Sequence, residues 1–391
     1  MIKSTAINDK NIEIVWADGL KKQIPGIAFR HSPGFPGISR PAGEHGRFPS
    51  IGSDLIPHEA NVVEEGELVI SWQPGDVESR HSVDWLDQYH PERKRSSTLT
   101  PKVNLWDAQS ASEFVPLNFE DILDDEKTRL LLFEELLLHG VVLIRNLPVE
   151  IDRIYQIANW FGMTPANPYS NNASNPVVSD IRVNPAVAVA THQSHFLGPH
   201  TDTCWRQTLI GILFMHCLKS HDDGGCSMLV DGFKVAQRLK EESPESFDLL
   251  ANLVLDFSAP VSEQDDWRVK GRIISLAADG VVEGIRYNGN SIGQLDLPDD
   301  LIEPAYRALE QFERILYDQS LWWQLLLKPG DLLIIDNHRV LHGRQAFNPT
   351  KAERHLQCCS VDRDHFHNRY RALARSLGSS NWDVRLTAGV I

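Results

Sequence analysis

Apolar and polar residues alternate at Ile12, Ile14 and Trp16, stop at Asp18-Gly19, and resume in a short run to Ile24. A period of two on either side of an Asp-Gly pair predicts a β-hairpin. Glycine and proline then crowd residues 25–49, Leu68–Trp72 reads as another strand, and Val83–Tyr89 as one or two helical turns. The polar run from Pro91 to Thr98 marks a linker, so residues 1–95 are expected to form a small β-rich domain and residues 96–391 a second, larger one.

In the second segment the period changes. Residues 123–138 carry acids in the first turn and apolar residues at helical spacing, ending at His139-Gly140, which predicts an amphipathic helix. A strand is expected at Val141–Arg145, and a helix at 151–161, where Ile154, Ile157, Ala158 and Phe161 share a face. Asn167 to Asn184 reads as a long polar loop, a length that in a compact domain signals function or mobility. Short apolar runs follow at Leu209–Phe214, Ser227–Val230, Arg272–Leu276, Gly284–Tyr287, Leu332–Ile335 and His355–Cys359. Repeated short strands of this kind suggest a sandwich or barrel. Helices are expected at Phe233–Val254, at Ile302–Tyr317, where Ala305, Leu309, Phe312 and Leu316 align, and at Arg363–Leu377. The fold class expected is mainly β with flanking helices.

Composition narrows the functions open to such a chain. With 391 residues and 42% apolar content it can fill at least one full-sized core. Its 38 basic and 53 acidic residues leave a net charge of −15, which argues against a nucleic-acid or anionic-membrane partner, since phosphates would be repelled. No apolar run approaches the roughly 18 residues a transmembrane helix needs, and the first residues lack the apolar centre of a secretory signal. A cytoplasmic protein is therefore expected. Its five cysteines are odd in number and form no CxxC, so free thiols are expected rather than a disulfide framework or a sulfur-rich zinc site.

Candidate chemistry rests on two stretches. Gly-Pro-His200-Thr-Asp202 directly precedes the strand series, and Asp336-Asn-His-Arg-Val-Leu-His342-Gly-Arg344 lies about 140 residues later. Two imidazoles and a carboxylate can hold a divalent metal on one face and leave the other face open, the facial triad of non-haem Fe(II) oxygenases. His-x-Asp/Glu by itself is weak, because His221-Asp-Asp223 and His90-Pro-Glu92 share it. The former has the composition of a solvated turn, and the latter falls in the linker. Arg354, opening the strand after His342, is placed to bind a dicarboxylate bidentately, against the plainer reading of a surface ion pair.

His200-Thr-Asp202, Gly224-Gly225-Cys-Ser227, Asp336 through Arg344 and Arg354-His355 together resemble the γ-butyrobetaine and trimethyllysine hydroxylase branch of the taurine-dioxygenase-like Fe(II)/2-oxoglutarate oxygenases. The likeness extends over nearly the whole chain, including the Val15-Trp-Ala-Asp-Gly19 hairpin of that branch's accessory domain. It implies a double-stranded β-helix (jelly-roll) core with His200, Asp202 and His342 as iron ligands. Arg354 would then anchor the distal carboxylate of 2-oxoglutarate, with help from Ser227. The implied reaction consumes O2 and 2-oxoglutarate, releases succinate and CO2, and oxidises an unactivated C–H bond of a small molecule; the implied assembly is a homodimer.

The chain departs from that branch at two points. The segment from Phe29 to Ser39 holds none of the cysteines of the branch's N-terminal zinc site, so no structural zinc is expected, although His31, His45 and His81 lie nearby. Aromatic residues that would cage a quaternary ammonium by cation–π attraction are largely missing around Val187 to Phe196 and near Ser360. His192, His195, Trp205 and Asn288 are the candidate substrate contacts; a core role for Trp205 and a turn role for Asn288 are the plainer alternatives. Hydroxylation of a small polar metabolite is the expected function. The alternatives are a γ-butyrobetaine or trimethyllysine hydroxylase with a rebuilt cage, and a non-catalytic jelly-roll binding protein. A zinc hydrolase lacks its general base, since no glutamate stands beside the histidines as in HExxH.

Overall fold

The structure, a computed structural model, describes residues 2–32, 34–36, 54–63, 67–87, 89–92, 102–165, 175–182, 194–220, 225–259, 266–348 and 354–379. They fall into two compact units, Met1–Ser96 and Ser97–Ile391.

In the first unit, β1 (Ile2–Asn8), β2 (Asn11–Trp16) and β3 (Lys21–Pro25) form one antiparallel sheet and α1 (Gly26–Arg30) follows it. The hairpin closes where the Asp-Gly pair demands. Gly19 takes a φ of 87°, open to glycine without steric cost, and the Leu20 N–H donates to Asp18 Oδ1 at 3.0 Å. A second sheet holds β4 (Ile56–Val62), β5 (Leu68–Gln73) and β6 (Val77–His81), and α2 (Val83–Asp87) comes next. Ile12, Ile14, Trp16, Ile24, Leu68, Ile70 and Trp72 share one core. The ring nitrogens of His81 lie 2.8 Å from Ser32 Oγ and from Ser79 Oγ, and burial lowers its pKa to about 4. His90 is not part of a free linker: it meets Asp18 Oδ2 at 2.8 Å and packs edge-on against Trp16.

The second unit opens with α3 (Ala108–Ala111), β7 (Leu117–Asn118), α4 (Phe119–Asp124), α5 (Glu126–His139), β8 (Val141–Arg145), α6 (Arg153–Phe161) and β9 (Ser179–Arg182). The single helix expected at 123–138 is broken at Asp125. That residue leaves helical geometry and caps α5, its carboxylate accepting from the Lys127 and Thr128 N–H groups at 3.1 Å each. β9 occupies part of the stretch read as a loop, and gains its conformation by pairing with a strand almost 180 residues away. Next come β10 (Leu197–His200), β11 (Ile212–Lys219), β12 (Ser227–Asp231), α7 (Gly232–Glu242) and α8 (Pro244–Asn252). One helix was expected at Phe233–Val254; Pro244 divides it, because the residue before a proline is driven out of the helical region and Ser243 accordingly has φ −150° and ψ 77°. β13 (Leu255–Ser258), β14 (Arg268–Gly271), β15 (Ile274–Leu276), β16 (Val282–Ile285), α9 (Asp299–Leu316), β17 (Trp323–Leu325), β18 (Leu332–Asp336), β19 (Val340–Arg344), β20 (His355–Val361) and α10 (Arg363–Ser376) complete it.

Two larger sheets face each other through a shared core. One has six strands in the order β7-β8-β18-β11-β20-β9, the other four in the order β10-β19-β12-β17. Leu213, Met215, Leu333, Ile335 and Leu356 of the first meet Leu229 and Val340 of the second. Intervening residues on the same strands point outward: Phe214, Ile334 and Cys359 pack with α5, α6 and α10, while Met228, Val230 and Leu341 pack with α7, α8 and α9. Helices thus contribute as much as strands, and the described strands do not close into a barrel. The molecule is a mixture of sheet and helix rather than mainly β. No helix of the described residues is long and apolar enough to cross a membrane.

A buried ion pair ties these layers together. Arg339, in the β18–β19 turn, donates to both carboxylate oxygens of Asp231 at 3.0 and 2.8 Å, and to the carbonyls of Leu138 and Asn104 at 2.9 and 2.6 Å. Removing one partner of such a pair strands a buried charge. Arg339→Met is expected to lower the unfolding free energy by about 3–5 kcal/mol in denaturant titration. A loss under about 1 kcal/mol would show that the pair contributes little net stability.

Candidate active site

His200 ends β10 and stands opposite His342 of β19 in the antiparallel register, so the two rings come together as cross-strand neighbours, with centroids 4.6 Å apart. Asp202 follows two residues later, in a loop held from several sides. The Thr201 N–H donates to the Tyr287 carbonyl at 2.7 Å, and the Tyr287 N–H returns a bond to Thr201 Oγ1 at 3.0 Å. Arg286 donates to the Arg206 and Gln207 carbonyls at 2.8 and 3.2 Å. Thr203 has a φ of 57°, unusual for a β-branched residue, and its hydroxyl accepts from the Ile210 N–H at 3.1 Å.

Hydrogen bonding shows what this geometry needs. His200 Nδ1 lies 2.9 Å from the Gly198 carbonyl, which can only accept, so Nδ1 carries the proton and Nε2 presents a lone pair in the neutral ring. That lone pair faces Asp202 Oδ1 at 3.3 Å, and His342 Nε2 lies 3.7 Å from Asp202 Oδ2. Electron pairs so placed repel unless a proton or a metal cation sits between them. Burial resists charge on His200, but the Asp202 carboxylate outweighs it and raises the imidazole pKa. Burial likewise opposes ionisation of Asp202, yet His342 and His200 hold it down to about 2. His342 itself is pushed to about 4 by burial and is neutral at pH 7. One atom from each residue lies within 4.8 Å of the others, and two neutral imidazoles with one carboxylate are the donor set of a facial metal site. These residues fit a divalent iron. Asp18, His90 and Glu92 cluster similarly, with exposed carboxylates; the motif at His221–Asp223 lies outside the described residues.

Ser227 begins β12, buried and opposite Arg344. Leu356 and Cys358 of β20 face the layer between the sheets, and the two-residue period places Arg354 on the same side. Burial first, then repulsion from Arg344, lowers the Arg354 pKa to about 10. It forms no ion pair or hydrogen bond with any described residue, so this guanidinium suits an incoming anion. Arg344 donates to the His195 carbonyl at 3.0 Å and lies over the Phe347 ring.

The remaining candidates are scattered. His192 lies outside the described residues, the His195 side chain is exposed, and Trp205 is half-buried. Asn288 closes a turn, its Oδ1 accepting from the Asn290 N–H at 3.1 Å and its carbonyl from the Ser291 N–H at 2.9 Å. Phe196, four residues before His200, packs with Tyr317 and Trp322. Trp322 belongs to the cluster that holds Leu341, on the opposite face of β19 from His342, so these three rings lie on the helical side of the sheet. Cys358 was not singled out from sequence. Burial raises its pKa to about 12, with the nearby Asp202 carboxylate adding to the effect. The two-residue period of β20 was the signal that it faces the site.

A family model described as taurine catabolism dioxygenase TauD, TfdA family, matches residues 96–360. The γ-butyrobetaine dioxygenase of Homo sapiens is 26% identical over 329 residues, 82% of this chain and 83% of that protein. The mitochondrial trimethyllysine dioxygenase of Rattus norvegicus is 28% identical over 320 residues, covering 80% and 73%. The γ-butyrobetaine dioxygenase of a Pseudomonas species (strain AK-1) is 24% identical over 328 residues, covering 83% of each.

The arrangement of His200, Asp202 and His342 leads to a stability test. A divalent cation present at 100 times its dissociation constant should stabilise the folded chain by about 2.7 kcal/mol. That increment, read as a rise in melting temperature, should vanish in Asp202→Ala. An equal rise in the variant would show that the cation binds elsewhere.

Proposed function

Because the chain belongs to the TauD/TfdA family of dioxygenases, we propose that His200, Asp202 and His342 hold its iron and that Arg354, with Ser227, holds its co-substrate. Membership sets the reaction class: this is a 2-oxoglutarate-dependent dioxygenase that works with Fe(II) and O2. In the proposed reading, residues 96–391 form a jelly-roll oxygenase domain. Its reaction is hydroxylation of an unactivated C–H bond in a small polar metabolite, with release of succinate and CO2. The observation that carries the site assignment is the convergence of three donor atoms, His200 Nε2 3.3 Å and His342 Nε2 3.7 Å from the two Asp202 carboxylate oxygens.

Iron, when bound, supplies the redox chemistry that couples 2-oxoglutarate decarboxylation to substrate oxidation. The chain does the rest by placement. Gly198 orients the His200 ring through Nδ1, the second-sphere arrangement that fixes the tautomer of a ligating histidine. Arg354 offers a planar fork of donors to a carboxylate, and its half-buried position strengthens that pairing by limiting water. Ser227 adds a hydroxyl from β12. Leu229 and Val340, facing the strands of the larger sheet, keep the interior apolar and limit water near the reacting bond.

The test is anaerobic titration of the purified protein with Fe(II) and 2-oxoglutarate, followed by the visible metal-to-ligand charge-transfer band. Wild type should develop the band and His200→Ala should not. Arg354→Ala should require about 10- to 100-fold more 2-oxoglutarate, for a charge-assisted pair worth about 1.5–3 kcal/mol. A folded, iron-loaded wild type without the band would refute the site assignment, and an unchanged 2-oxoglutarate requirement in Arg354→Ala would refute the role of that residue.

A further inference from the structure

We propose that Asn337 is a positioning residue for the Asp202 carboxylate, an assignment that rests on reading Asp202 as a metal ligand. Asn337 is completely buried in the turn between β18 and β19. Its Oδ1 accepts from the Asp202 N–H at 2.8 Å, while its Nδ2 donates to the Asp202 carbonyl at 3.2 Å and to the Ile210 carbonyl at 3.0 Å. One side-chain amide therefore grips the peptide groups on both sides of the Asp202 Cα. Both backbone torsions of Asp202 are fixed this way, and the carboxylate keeps only its two short side-chain torsions.

Other residues of the same turn hold different segments. Asp336 pairs with Arg363 of α10, and the His338 carbonyl accepts from Ile285. Asn337 is the turn residue whose side chain bonds to the Asp202 backbone. Its own N–H donates to the Gly211 carbonyl at 2.9 Å, so the amide is anchored before it grips. The next residue but two begins β19, the strand that carries His342, and β19 pairs in turn with the end of β10 at His200. The separation of all three donor groups thus refers back to one turn.

The chemistry selects asparagine. An aspartate there keeps the acceptor for the Asp202 N–H but turns a repelling oxygen toward two carbonyls. A leucine of similar size satisfies none of the three groups, and a glutamine carries an extra methylene that moves the amide away from them. Asp202 is the single anionic member of the donor set, so freedom in its backbone should appear first as weaker metal binding and altered ligand geometry.

The test uses the full chain with Asn337→Ala, Asn337→Asp and, as a control of similar cost to stability, Ile334→Ala, whose side chain faces the outer helices. Folding of each metal-free variant is checked by circular dichroism. Fe(II) affinity is then measured by anaerobic calorimetry, and ligand geometry by the visible spectrum of the Co(II)-loaded protein. Both Asn337 variants should bind Fe(II) at least tenfold more weakly and show a changed Co(II) spectrum, whereas Ile334→Ala should remain within about twofold of wild type. Should Asn337→Ala fail to fold, Asn337→Asp, which keeps one of the three bonds, decides. Wild-type affinity in a folded Asn337 variant, or equal weakening in Ile334→Ala, would overturn the proposal. Wild-type affinity in Asp202→Ala would instead overturn the metal-ligand reading beneath it.

Discussion

The turn at Asp336–Arg339 is the constraint on which the larger unit depends. It joins β18, an inner strand of the six-stranded sheet, to β19, an inner strand of the four-stranded one, so its shape sets how the two sheets face each other. Its polar side chains are buried, where a hydrogen-bond partner matters most, and three of the four find several. Asp336 takes Arg363, Asn337 takes Asp202 and Ile210, and Arg339 takes Asp231, Leu138 and Asn104. Apolar packing between the sheets supplies the bulk of the stability, but it is not directional. These bonds are, and they convert a well-filled core into one particular alignment of strands.

Charge is distributed with similar economy. A chain of net charge −15 keeps a half-buried arginine at Arg354 without a counter-ion among the described residues, and repulsion from Arg344 adds to burial in lowering its pKa. Such a group is costly in a protein interior unless an anion arrives to pair with it. At the cluster of His200, Asp202 and His342, the Asp202 carboxylate stays ionised and raises the His200 pKa, while burial keeps His342 neutral. In the proposed reading, Arg354 offers a cation to a dicarboxylate while His200, Asp202 and His342 offer donors to a metal. Chemical sense therefore lies in the pairing of two local imbalances and not in either alone.

Local signals were legible wherever the chain's own neighbours decide the conformation. The Asp18-Gly19 hairpin, the helical face of Ile154, Ile157, Ala158 and Phe161, and the helix after Val361 all formed near where their patterns place them. Breaks within helices were harder to read, since Asp125 and Pro244 interrupt patterns whose apolar spacing continues across them. Strand limits were harder still. The run beginning at Leu209 pairs only from Ile212, and the strand continues to Lys219 because β18 flanks it as far as His216 and β20 as far as Lys219. β9 carries no strong pattern of its own and owes its form to the free edge of β20.

By itself the sequence nominated the side chains proposed for the chemistry: residue type, spacing and strand context singled out His200, Asp202 and His342 as candidate donors and Arg354 as a candidate anion partner. Tertiary structure decided how those groups meet. The cross-strand register brings His200 to His342, the Gly198 carbonyl selects the His200 tautomer, and Asn337 reaches 135 residues back along the chain to the Asp202 backbone. Only tertiary structure turned Phe196 toward the helices and made Asn288 a turn residue. The physical reason is that propensity and periodicity act over a few residues, whereas hydrogen bonds to buried carbonyls and register between distant strands exist only after the chain has closed on itself.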